Sequence, residues 1–183
     1  MSKKDSKPAR SEGDNKEDNA RKFITNNFDT DFLQQHNAIL SSLEIDWIAA
    51  DEYRESKVVY RKYSDGKRRY LLITKLTAGK NRTASKTEID ENRYHELVAS
   101  SCLRLLKDRY EFHFVQDNIF FVSTFDVFDT GKLFILEVDG VNGNEEERLA
   151  FDPRRFPYDL LEVTGNIEYY GFRLVHTLDR LVS

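Results

Sequence analysis

The sequence predicts an α+β fold in which an antiparallel β-sheet closes into a barrel or tunnel, with a few helices flanking it. Three observations lead there. Period-two segments bounded by turn residues outnumber segments with helical spacing. The connections between them are short, as an antiparallel meander requires. Lysines, arginines and carboxylates stand at alternate positions inside these segments, which suits a polar interior better than the mostly apolar lining of a lipocalin-like barrel.

Composition bounds the possibilities. The chain has 183 residues, with 28 Lys/Arg against 32 Asp/Glu and a net charge of −4. That length suits one domain with a real core, and 13 Phe and 9 Tyr are too many for a fully disordered chain. No apolar run reaches membrane-spanning length, and the Lys-rich start lacks a signal-peptide core. A lone cysteine, Cys102, excludes an internal disulfide and any Cys-built zinc site, which together points to a cytoplasmic protein. The acidic balance argues against duplex-DNA binding by phosphate neutralisation. Residues 1–22 hold seven basic and five acidic residues and nothing aromatic or branched aliphatic, so they read as a disordered tail. Residues 23–183 read as a single domain.

The elements follow in order. Leu43-Glu44-Ile45-Asp46-Trp47-Ile48 alternates as a strand. Residues 57–63 and 67–76 form two more, joined at Ser64-Asp65-Gly66, where Asp-Gly marks a hairpin. A fourth strand spans 83–89. Asp90 is placed to cap a helix along which Tyr94, Leu97, Val98, Cys102 and Leu105 share a face, with Cys102 packed among them. Strands at 109–115, 118–128 and 132–139 make a meander. Residues 140–147 read as an acidic loop, 160–164 as a short strand, and 166–182 as a closing helix.

The charged strand positions carry the functional signal. Lys57, Val59 and Arg61 share one face of a strand, and Arg69, Leu71, Ile73 and Lys75 share one face of its neighbour. Such faces suit a barrel that binds an anion inside, and equally a solvent-facing sheet. Lys107 and Arg109 open another strand on one face. Glu137 and Asp139 share a face at the end of an apolar strand, where a Mg²⁺ or Mn²⁺ ion would relieve their repulsion. Glu162 is a further carboxylate inside an apolar strand. His36, His95, His113 and His176 show no ligand spacing, and no Gly-rich phosphate loop is present.

In order along the chain these pieces resemble the CYTH family, the CyaB-type adenylate cyclase and thiamine triphosphatase superfamily of triphosphate tunnel metalloenzymes. The similarity runs from about Ile45 to Leu178. It is carried by Val58-Val59-Tyr60-Arg61-Lys62, Tyr70 to Lys75, Lys107-Asp108-Arg109-Tyr110, Asp126-Val127-Phe128, Leu133 to Asp139, and Glu162-Val163-Thr164 with Tyr169. The resemblance implies a tunnel binding a triphosphate-bearing small molecule (inorganic, nucleoside or thiamine triphosphate) and a divalent-metal-dependent triphosphatase activity. It implies phosphate contacts from Lys57, Arg61, Lys75, Lys107 and Arg109, and Mg²⁺ or Mn²⁺ held by Glu137, Asp139 and Glu162. The chain departs from the pattern in several places: the R-x-R of the basic strand could fall on Tyr60 and Lys62 or on Val59 and Arg61, Ile73 stands where the family has Thr, and two further departures concern the acids. The family's opening E-x-E-x-K strand is nearest to Glu44-Ile45-Asp46, with Ile48 at the lysine, and the acids after the following loop reduce to Glu88 beside Ala84 and Lys86. Those departures keep two further readings open: a non-catalytic polyphosphate- or nucleotide-binding domain, and a protein-interaction domain using its acidic loop.

Overall fold

A computed structural model describes residues 16–17, 20–27, 29–78, 81–128 and 133–182. Its strands are β1 (Lys16–Glu17), β2 (Arg21–Thr25), β3 (Ile39–Ala50), β4 (Arg54–Tyr63), β5 (Arg68–Ala78), β6 (Asn81–Ile89), β7 (Leu103–Gln116), β8 (Ile119–Phe128), β9 (Phe134–Gly140) and β10 (Leu161–Glu162). Its helices are α1 (Thr30–Gln35), α2 (Glu91–Val98), α3 (Glu145–Ala150) and α4 (Arg173–Val182). The strands form one antiparallel sheet in the order β1-β6-β5-β4-β3-β7-β8-β9-β2-β10. No ladder joins its two ends among the described residues. The sheet curls instead, so that β2 to β9 all contribute to the wall of one cavity.

The turns follow from their residues. Between β4 and β5, Gly66 adopts φ +87°, a left-handed conformation that costs glycine nothing. Between β7 and β8, Asp117 and Asn118 have φ of 52° and 63°, the two-residue geometry that matches strand twist.

Strand alternation splits the chain's apolar residues between two cores. On the outer face, Phe23, Phe112, Phe114, Phe121, Phe125, Phe134, Leu136 and Val138 pack with Leu33 of α1 and with Phe151, Phe156 and Tyr158. On the inner face, Leu43, Ile45, Trp47, Val59, Leu71, Leu105 and Ile135 pack with Leu174, Val175 and Leu178 of α4.

Several boundaries differ from expectation. The tail was expected to run to residue 22, yet Arg21 and Lys22 lie in β2 between β9 and β10, and Lys16–Glu17 pairs with β6. Composition misjudges this stretch because the charge on Lys22 is neutralised inside the fold, while Phe23 and Ile24 anchor the strand. Residues 1–15 lie outside the described residues. The Asp90 cap is present, its side chain accepting from the Arg93 N–H at 2.9 Å, but α2 stops at Val98. Leu105 belongs to β7, and Cys102 is exposed before that strand, because pairing with β3 outweighs another helical turn. The acidic loop is the first turn of α3, whose three glutamates follow the Asn144 cap, where carboxylates favour the helix dipole. The closing helix is divided into a 3-10 turn at Ile167–Tyr169 and α4.

Candidate active site

The cavity measures about 190 Å³, and its wall carries Lys22, Lys57, Arg61, Lys75, Lys86, Lys107 and Arg109 against only two acids, Asp126 and Glu137. Each charge arrives there by strand parity. On β4, Lys57 and Arg61 alternate inward with Val59; on β5, Lys75 follows Leu71 and Ile73; on β7, Lys107 and Arg109 follow Leu105. The structure therefore brings all five sequence-predicted cations to one cavity, and the solvent-facing alternative for the β4–β5 hairpin does not hold.

Buried ion pairs fix the geometry. Asp126 receives Arg109 through two hydrogen bonds of 2.6 Å, from Nε and Nη2, and also pairs with Lys107. Glu137 meets Lys22 at 2.9 Å and Arg109 at 3.5 Å, and accepts from the Thr124 hydroxyl at 3.3 Å. Lys22 also donates to the Tyr169 carbonyl at 3.2 Å and lies 4.0 Å from the centre of the Tyr170 ring. Arg61 pairs with Glu111 and donates to the Ser41 hydroxyl at 3.0 Å. Lys57 pairs at 2.7 Å with Glu55, which also accepts from the Trp47 indole at 2.8 Å.

The electrostatics follow from burial and neighbours. Burial and then the adjacent Arg109 lower the Lys107 ammonium to about 8, with Asp126 and Glu137 opposing. Burial tends to raise Glu55, but Lys57, Lys75 and the Trp47 N–H outweigh it and bring the acid to about 2. The same competition holds Asp126 and Glu137 below the usual carboxylate range, through Arg109 and Lys107 for the first and chiefly Lys22 for the second.

The three acids expected to share a metal are not brought together. Glu137 faces the cavity, whereas Asp139 lies further along β9 and its carboxylate accepts from the Gly140 N–H at 2.9 Å. Glu162 sits at the sheet end opposite Phe23, forming an ion pair with Arg21 at 2.8 Å on the outer face. Register explains this: β2 lies between β9 and β10, and its residue pairing with Glu162 points away from the cavity. Among the described residues no group of three His, Cys, Asp or Glu is placed to hold a metal ion. The two acids on the wall already serve as counter-ions to Lys22, Lys107 and Arg109, so this donor set does not fit a dedicated Mg²⁺ or Mn²⁺ site.

Glu44 and Asp46 do not supply the missing acids. Both face outward from β3 and pair with Arg104, at 2.9 and 3.2 Å, while Leu43, Ile45 and Trp47 line the cavity. A wall cation that the sequence reading missed is Lys22, which reaches the cavity from β2. The signal was the apolar pair Phe23-Ile24 directly after two cations. Lys86 was the other residue overlooked as a wall cation, reaching the cavity from β6.

A curled antiparallel sheet, here enclosing a cationic cavity, defines the class of this protein, and solved structures share the fold. NE1496, described in one crystal structure as a hypothetical protein, superimposes with a TM-score of 0.56 at 22% identity, covering 87% of this chain and 97% of that one. A second, described as the inorganic triphosphatase NE1496, gives 0.56 at 21% identity, covering 87% and 93%. At such identities the likeness is one of fold, and it is the tunnel-like fold that the CYTH resemblance implies. No protein-family profile and no curated protein matches the chain.

Proposed function

We propose that this chain is a divergent CYTH-type protein whose cavity binds a triphosphate-bearing anion. The observation that supports the reading is the convergence of seven cationic side chains, from five strands, on a cavity of about 190 Å³ with two acids on its wall. Lys57, Arg61, Lys75, Lys107 and Arg109 are the proposed phosphate contacts. Arg61 and Arg109 keep guanidinium N–H groups beyond those used by Glu111, Ser41 and Asp126, and an ammonium carries three donors, so phosphate oxygens can be received without dismantling the ion pairs. The internal pairs hold these donors in place before the ligand arrives, which reduces the ordering cost of binding. Inorganic, nucleoside and thiamine triphosphates share the group that this wall would recognise.

Hydrolysis is the second reading, favoured by the common fold with a protein described as an inorganic triphosphatase. A divalent cation in such chemistry would shield phosphate charge and activate water. Of the three acids assigned to it from sequence, Glu137 alone stands on the cavity wall.

Calorimetric titration with tripolyphosphate, ATP and thiamine triphosphate, alongside phosphate-release assays in Mg²⁺ and Mn²⁺, tests both readings. Saturable binding lost in an Arg109→Ala, Arg61→Ala double variant is expected. Absence of binding to all three ligands under every condition would refute the anion site. Binding without phosphate release identifies a non-catalytic domain, whereas metal-dependent release identifies a triphosphatase.

A further inference from the structure

The balance of charge around the cavity is unusual for a site that is to receive a metal–polyphosphate complex. Seven cations line the wall. Four carboxylates contact them: Glu137 with Lys22 and Arg109, Asp126 with Lys107 and Arg109, Glu55 with Lys57, and Glu111 with Arg61. These seven cations exceed the four carboxylates by three charges, and each of the four carboxylates is engaged.

Lys86 is the clearest case. It lies on β6 opposite Ile73 of β5, on the face that also carries Ala84 and Glu88. Glu88 is committed to Arg69 at 2.8 Å, and the Ala84 side chain offers no acceptor. No ion pair to Lys86 is formed by the described residues, and its charged neighbours include Arg61, Arg69 and Arg109, with Glu111 as the acid facing the group. It is the more exposed of the wall lysines, so it stands at the rim rather than in the floor. An ammonium held among guanidinium groups is stabilised by an incoming anion more than by anything in the empty protein.

Chelation by a divalent cation would remove two charges from a polyphosphate and occupy oxygens that these donors could receive. The wall would then offer the bound metal no unengaged carboxylate in return. We propose that the cavity takes its polyphosphate free of divalent metal, Lys86 supplying at the rim the positive charge that a chelated cation would otherwise bring, so that Mg²⁺ competes with binding. This inference rests on the anion-binding reading above and specifies the ligand's form.

The test is titration of inorganic tripolyphosphate into the full chain, in EDTA and in excess MgCl₂ at matched ionic strength, for wild type, Lys86→Ala and Lys86→Glu. Wild type is expected to bind roughly tenfold more tightly in EDTA, and Lys86→Ala to lose most of that difference by weakening the EDTA arm about tenfold. Lys86→Glu, which places a carboxylate at the rim, should bind better with Mg²⁺ than without. Thermal melts of both variants are expected to match wild type, since the side chain is exposed. Equal or tighter wild-type binding in Mg²⁺, or an unchanged ratio in Lys86→Ala, overturns the inference while leaving the anion site standing. No binding in either arm refutes the anion site itself.

Discussion

The two faces of β2, β7, β8 and β9 are built from neighbouring residues and held by different forces. Outward, Phe23, Phe112, Phe114, Phe121 and Phe125 form an aromatic core, with Phe114 and Phe121 stacked at 5.1 Å and Phe151 set edge-on against Phe23 at 5.3 Å. Inward, at positions of the opposite parity on the same strands, Lys22, Arg109, Asp126 and Glu137 form a network of charges. Contacts of the first kind are short-ranged and insensitive to pH and salt. The second kind loses hydration and regains it only through its partners, so it is conditional on every member. The difference separates labour: the outer face stabilises the sheet, and the inner face spends stability to hold donors ready for a ligand.

The comparison can be broken at either face. Phe125 is fully buried, and Phe125→Ala should cost on the order of 4 kcal/mol in denaturant unfolding, with the loss unchanged between low and high salt. A strong salt dependence of that loss would mean the two faces are not independent. Asp126→Ala should cost about 3 kcal/mol, because it leaves Lys107 and Arg109 without their shared counter-ion in the wall. Unlike the first loss, this one should be partly recovered by millimolar tripolyphosphate, since a ligand that binds only the folded state raises its stability. Equal recovery in both variants would remove the assigned role of Asp126.

The smallest effect sharpens the inner face further. Lys107 is lowered to about 8 by burial and by Arg109, so its ammonium is present below that pH and lost as pH rises through it. Affinity for tripolyphosphate should therefore fall a few-fold between about pH 7 and pH 9, and an anion that favours the charged form should draw in a proton on binding. Titrations in buffers of different ionisation enthalpy read that proton directly. Proton release, or affinity that rises with pH, would place Lys107 outside the binding wall.

Much of this molecule follows from local sequence. The alternation in 57–63 and 67–76, the Asp65-Gly66 turn and the Asp90 cap depend on residues close in the chain, and each is found where their short-range physics puts it. The five predicted cations reach the cavity for the same reason, because period two along a strand decides which residues share a face. Pairing between distant segments is not legible in that way. Lys22 looked like the end of a charged tail until β2 lay between β9 and β10, where Glu137 neutralises it. Glu162 resembled a partner of Glu137, yet its distance from it is set by the register of β9, β2 and β10, segments far apart in sequence, and one-residue differences in register exchange the inside for the outside. The identity of the charges was written in the sequence; which charge meets which was decided by the curl of the sheet, since only long-range pairing brings β2 and β6 to the same cavity.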